Sequence, residues 1–132
     1  MLAWKVQQDR KTSELGKLAE GFAVKFLQNK GYKIIDRNFR SRFGEIDIVA
    51  EEKETLVFVE VKARWSKKFG SPEEAVTPSK LFKIKKTAEY YALINSKTDR
   101  KMRIDVVALE INGGVISSSK IIHVDAWKSF KQ

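Results

Sequence analysis

Between Gly44 and Arg64 the chain reads GEIDIVAEEKETLVFVEVKAR, and no other stretch limits its fold as strongly. Strict alternation makes Gly44–Ala50 a strand, with Ile46, Ile48 and Ala50 on one face and Glu45, Asp47 and Val49 on the other. Glu51–Glu54 is a polar connection, and Thr55–Ala63 is the returning strand of a hairpin. On that second strand Val57, Val59 and Val61 share one face; Leu56, Phe58, Glu60 and Lys62 share the other. LVFVEV is almost uninterrupted apolar sequence, the pattern of a strand covered on both sides. Charges inside such a strand are costly unless they are paired or bind a metal. Asp47 and Glu60, on neighbouring strands, can hold a hard cation through oxygen, and magnesium typically takes one or two carboxylates plus water and a substrate phosphate. Lys62 beside them can orient or deprotonate a water and offset charge growing on a phosphate. The plainer alternative is a structural Glu60–Lys62 pair at a strand end.

The charge balance points to a partner. Lysine plus arginine outnumber aspartate plus glutamate 26 to 17, a net charge of +9. That favours a polyanion, nucleic acid before an acidic membrane surface. With 132 residues, 42% apolar and 33% charged, the chain is expected to form one globular domain over 1–132. The absence of cysteine excludes disulfides, zinc–thiolate sites and thiol nucleophiles. No apolar run approaches membrane-spanning length and no secretory h-region is visible, so no membrane partner and a cytoplasmic location are expected. There is no glycine-rich phosphate loop and no nucleophilic triad.

Along the chain, residues 1–11 read as a loose polar arm, with Trp4 as a docking residue. A first helix is expected from Thr12 or Ser13, with Leu15, Leu18, Ala19, Phe22, Ala23 and Phe26 as its apolar stripe and Gly31 as its stop. Glu20 lies at the border of the stripe, one turn beyond Gly16; spacing alone makes it an ordinary boundary carboxylate. The small Gly16 leaves room for the sheet or for a phosphate backbone. Tyr32–Asn38 reads as a strand. It leads into Arg37, Arg40 and Arg42 interleaved with Phe39 and Phe43, a pattern that suits either phosphate contact with stacking or a solvated connection with the rings packed inward. Arg64 opens a long basic loop through Lys67 and Lys68 to Glu74, placed to close over a nucleic-acid backbone. Thr77-Pro78 starts a second helix, with Leu81, Ile84, Ala88, Tyr91 and Ala92 as its buried stripe. Lys80, Lys83, Lys85 and Lys86 crowd its first half, which either binds an anion or forms a solvated face. Arg103–Ile111 is a buried strand, Asn112-Gly113-Gly114 a turn, and Val115–Val124 holds a last strand. Asp125–Phe130 is expected as a short helix, with Trp127 packing back. His123, the only histidine, is expected to be structural.

The order helix, three strands, helix, strand predicts a mixed sheet flanked by helices, α/β in class, with Arg103–Ile111 parallel to Thr55–Ala63. With Asp47 and Glu60-Val61-Lys62 it resembles the restriction-endonuclease-like superfamily of PD-(D/E)XK nucleases, with an αβββαβ core. It resembles more closely the YraN-like group of small proteins, themselves similar to Holliday-junction resolvases. The resemblance is carried by Gly16-Lys17-Leu18-Ala19-Glu20, Gly31-Tyr32, Arg37-Asn38-Phe39-Arg40, Gly44-Glu45-Ile46-Asp47, Phe58 to Arg64 and Arg103-Ile104-Asp105-Val106-Val107.

It implies Asp47 and Glu60 as metal-binding carboxylates, the Val61 carbonyl as a further ligand, Lys62 as the catalytic lysine and Glu20 as an acidic residue of the same site. Ile46 stands where the superfamily's name has proline. The implied activity is a Mg²⁺- or Mn²⁺-dependent endonuclease acting on DNA, including branched DNA. Arg37, Arg40, Arg42, Arg64, Lys67, Lys68 and Lys80 are the expected nucleic-acid contacts, and a homodimer is expected by analogy with resolvases. The alternatives are a non-catalytic nucleic-acid-binding module of the same descent and a basic assembly factor for RNA–protein particles.

Overall fold

A computed structural model describes the backbone of residues 2–64, 76–124 and 126–127, with side chains from residue 14 onward. The element order is α1 (Leu2–Asn29), β1 (Lys33–Ser41), β2 (Gly44–Glu52), β3 (Thr55–Arg64), α2 (Pro78–Ile94), β4 (Lys101–Asn112) and β5 (Val115–Val124). The five strands form one sheet in the order β1-β2-β3-β4-β5. β1, β2 and β3 make an antiparallel meander. α2 then carries the chain to β4, which runs parallel to β3, and β5 returns antiparallel to β4. This is the expected mixed α/β sheet.

Each face of the sheet has its own core. On one, Ala19, Ala23 and Leu27 of α1 pack on Ile48, Ala50, Val57, Val59, Val107 and Leu109. On the other, Ile84, Ala88, Tyr91 and Ala92 of α2 pack on Ile46, Val49, Leu56, Phe58 and Ile104. β3 has apolar residues in both, which is why LVFVEV reads as continuous.

The expected helix start is corrected. α1 begins at Leu2 rather than at Thr12 or Ser13 after a loose arm. Residues 2–14 contain no Gly or Pro and are rich in Leu, Lys, Gln, Arg and Glu, so helix propensity carries through a stretch without an apolar stripe. The C-terminal stop is where it was expected: the Gly31 and Tyr32 N–H groups return to the carbonyls of Gln28 and Leu27 at 3.0 Å each, with Gly31 at φ +96°. Thr77 caps α2 by accepting the Lys80 N–H, with Pro78 at the first helical position. β1 and β4 run past their expected ends, β1 to Ser41 and β4 from Lys101.

Phe39 and Phe43 resolve one open alternative. Phe39 packs edge-on against Tyr91 with ring centroids 4.9 Å apart, and Phe43 lies 5.4 Å from Tyr90, so both rings serve the α2 layer rather than offering a stacking platform. Trp127 packs back on the same layer, its indole N–H donating to Glu89 at 3.0 Å. Of the expected helix at Asp125–Phe130 only 126–127 are described, and the Trp4 side chain and the loop with Lys67 and Lys68 lie outside the described residues.

Candidate functional site

The site forms where the central hairpin comes apart. β2 and β3 pair from Glu52↔Thr55 to Ile48↔Val59 and no further. Just past that last pair, the strict alternation expected for β2 fails. Ile46 packs into the α2 layer and Ile48 into the α1 layer, while Glu45 and Asp47 line a cavity against α1. Asp47 and Ile48 therefore lie on the same side. The next strand donor is taken by a side chain: Asp47 Oδ2 accepts the Val61 N–H at 2.8 Å. A carboxylate thus replaces the ladder bond at the fork and pairs the Val61 donor.

The cavity, about 540 Å³, is walled by Gly16 and Glu20 of α1, Arg40 of β1, Asp47 of β2, and Lys62 and Arg64 of β3. Gly16 leaves open space there, since a Cβ on it would meet nothing within 4 Å. Glu20 is brought to the site, held by Asn38 Nδ2 at 2.9 Å and Arg37 Nη2 at 3.3 Å. Arg37 is thereby occupied with Glu20, and Arg40 pairs with Glu45 at 3.2 Å. Arg42 lies over the Phe43 ring at 5.0 Å and does not line the cavity. Arg64 Nε is buried with no hydrogen-bond partner among the described residues, a donor left unsatisfied.

Glu60 is the buried charge of β3, 7% exposed. Alternation with Leu56 and Phe58 turns it toward α2, and there it meets a residue that the sequence did not assign to it. Lys80 Nζ lies 3.0 Å from Glu60 Oε2 and Lys62 Nζ lies 3.3 Å from the same oxygen. The only signal for this in the sequence was that Lys80 falls three residues after the Thr77 cap.

The electrostatics follow from this crowding. Burial, then the Glu60 charge, pushes the Asp47 carboxyl up to about 7 against the pull of the Val61 N–H, with Glu20 and Glu45 adding to the rise. Burial and the neighbouring Lys80 lower the Lys62 ammonium pKa. Burial works against the Lys80 ammonium, but its contacts with Lys62 and Glu60 outweigh that and raise it.

A second polar cluster lies toward the other end of the sheet. Asp105, with no exposed surface, accepts Tyr32 Oη at 2.6 Å and Arg103 Nε at 2.8 Å, with His123 Nδ1 at 2.9 Å. Arg103 also reaches Glu52 at 2.6 Å. Burial alone would raise the Asp105 carboxyl, but the bonds from Arg103, Tyr32 and His123 hold it below its ordinary value. Burial and the Asp105 bond push the Tyr32 phenol up.

The fold and the site define an α/β protein with an αβββαβ core that gathers carboxylates and lysines at a strand fork. The chain belongs to the family described as "Uncharacterised protein family UPF0102", which matches residues 19–109, in keeping with the YraN-like resemblance. It is 46% identical over 111 residues to a UPF0102 protein of Syntrophomonas wolfei, covering 84% of this chain and 94% of the relative. A UPF0102 protein of Thermodesulfovibrio yellowstonii is 45% identical over 85% of this chain and 93% of its own length. One from Alkaliphilus oremlandii is 41% identical over 85% and 95%. Among the described residues, no helix is long and apolar enough to cross a membrane.

Proposed function

We propose that the fork between β2 and β3 is the active site of a divalent-metal-dependent endonuclease that hydrolyses DNA phosphodiester bonds, with branched DNA as the substrate class suggested by resemblance. The observation that carries this reading is a buried carboxylate at the fork: Asp47, held by the Val61 N–H, is raised to about 7 by burial first and by the Glu60 charge second. Asp47 and Glu60 would hold a hard cation that offsets their charges, and the acidic donors are all oxygen, as magnesium or manganese requires.

Among the described residues no group of three or more His, Cys, Asp or Glu side chains is arranged to hold a metal. The fit is therefore to a cation held by two carboxylates, the Val61 carbonyl and water. When bound, such an ion supplies Lewis-acid stabilisation of the scissile phosphate and a more acidic water. The chain supplies the rest. Asp47 is oriented by the Val61 N–H. Lys62, its proton loosened by burial, lines the cavity and would act there as a proton-handling group. Arg64 Nε, buried without a partner in the cavity wall, is suited to a phosphate oxygen. The net charge of +9 draws the polyanion in.

One observation favours a non-catalytic nucleic-acid-binding module instead: Glu60 already has two lysines on one oxygen, so its charge is balanced without a metal. Cleavage assays decide between them. Labelled four-way-junction, flap, single-stranded and linear duplex DNA would be incubated with Mg²⁺ or Mn²⁺ and, separately, with EDTA. Metal-dependent cutting that is lost in Asp47→Ala and Lys62→Ala supports the nuclease. Salt-sensitive binding without cutting, unchanged in both variants, rejects it.

A further inference from the structure

Two ammonium groups on one carboxylate oxygen is more positive charge than Glu60 needs. The two lysines are not equivalent. Lys62 comes from β3 itself and its side chain is 20% exposed, whereas Lys80 reaches in from α2 and is 39% exposed. The Lys80 backbone is fixed, because its N–H is the one that Thr77 Oγ1 accepts at 3.2 Å. Only its side chain is left to move.

The position of Lys80 is informative as well. The first turn of α2 contains no acidic residue, yet a helix N-terminus disfavours cations and attracts anions. Glu60 from β3 is the anion that now compensates Lys80. If Glu60 is taken by a divalent cation, the Lys80 ammonium is left without its anion at the start of α2, beside the fork, free to pair with a phosphate.

We propose that Lys80 is an exchangeable arm of the site: it pairs with Glu60 when no divalent cation is bound, and turns to a nucleic-acid phosphate when a cation takes Glu60. Cation and nucleic acid then bind cooperatively, since each favours the arrangement in which Lys80 has left Glu60. This rests on the metal-site reading above and adds the coupling between metal and polyanion.

The test uses Ca²⁺ as a probe cation, with binding rather than cleavage as the readout. Calorimetry gives Ca²⁺ affinity for the wild type, Asp47→Ala, Lys80→Met and Lys80→Gln. DNA affinity is measured across salt concentrations with Ca²⁺ and with EDTA. Without DNA, both Lys80 variants are expected to bind Ca²⁺ about fivefold more tightly, the size of a half-exposed ion pair no longer competing for Glu60. With Ca²⁺ present, their log–log salt slope for DNA binding is expected to be shallower by about 1 than the wild type's, because one fewer phosphate is neutralised. In EDTA their slope is expected to equal that of the wild type.

A slope that falls equally in Ca²⁺ and EDTA makes Lys80 a permanent phosphate ligand and overturns the exchange. A slope unchanged in both overturns it too. If wild-type Ca²⁺ binding is absent, or is indifferent to Asp47→Ala, the metal site itself is wrong. If Ca²⁺ binding depends on Asp47 but not on Lys80, only the exchange fails.

Discussion

Asp47 occupies the place of a backbone acceptor for Val61: its Oδ2 takes the Val61 N–H at 2.8 Å just beyond the last β2–β3 pair. A single side chain thus satisfies the strand donor freed at the fork and holds a carboxylate within the field of Glu60. Backbone order and site charge are coupled through one bond, and this gives the Asp47 variants opposite effects on structure and chemistry.

The carboxyl of Asp47 is raised to about 7, while its unfolded value is about 4. Between these pH values the folded form holds a proton that the unfolded form has released, so metal-free stability falls as pH rises from about 4 to about 7 and is level above that. Asp47→Asn keeps an acceptor for Val61 and removes the titration. In EDTA it is expected to be more stable than the wild type by about 2 kcal/mol at pH 8, with little difference at pH 4. Urea unfolding of both proteins at the two pH values checks this; an Asn variant less stable at pH 8 would reject the strained carboxylate.

In the proposed nuclease Lys62 would serve chemistry more than affinity, because its ammonium is turned to Glu60 at 3.3 Å and is only 20% exposed. Lys62→Ala is expected to lower single-turnover cleavage by at least about 100-fold. DNA affinity in Ca²⁺ should change by less than about threefold, as one interaction among many. A loss of binding as large as the loss of cleavage would make Lys62 a docking residue.

Much of this was legible in the hairpin. The apolar run from Leu56 to Val61 marks a doubly covered strand because helices lie on both faces, and Glu60 stands out in it because a buried charge needs a partner. The side-chain period of 2 did not show the irregularity at Asp47. Asp47 and Ile48 share a side because the β2–β3 ladder ends there, and a ladder's end is a tertiary event with no local signature. Lys80 was visible as a cation near a helix cap, but its reach to Glu60 depends on how α2 crosses β3. The Tyr32–Asp105–Arg103–His123 cluster was hidden for the same reason: its members are separated by up to 91 positions in the chain, and it takes the antiparallel pairing that sets His123 opposite Asp105, together with the approach of Tyr32 from the end of α1, to bring them together.

Asp105 anchors that cluster and is expected to set the acid limit of stability. Its folded pKa is lowered by Arg103, Tyr32 and His123 acting against burial. Its contribution is therefore present above the unfolded value near 4 and is lost as pH falls through the folded value. Asp105→Asn leaves Arg103 with Glu52 as its carboxylate partner and puts a neutral group at a position with no exposed surface, and a cost of about 2 kcal/mol at pH 7 is expected. The deficit should shrink toward pH 3, where the wild type loses its own advantage. Thermal unfolding from pH 3 to 7 measures it, and a deficit independent of pH would reduce Asp105 to a packing residue.

Two glycines at the edges of the site should respond in opposite directions to the same substitution. Gly44 begins β2 at φ +146°, and a Cβ there would stand 3.1 Å from Thr87 Oγ1, which is itself held by the Lys83 carbonyl at 2.8 Å. Both the backbone and the close approach to α2 require glycine, so Gly44→Ala is expected to cost about 2 kcal/mol. Gly16 lies within α1, where a Cβ meets nothing within 4 Å. Gly16→Ala is expected to stabilise by up to about 1 kcal/mol through helix propensity. Unfolding of the two variants settles the signs, and DNA binding adds a second readout for Gly16. If a phosphate backbone passes close to α1 in the complex, Gly16→Ala weakens binding while strengthening the fold, and only a role at the bound polyanion separates those two effects.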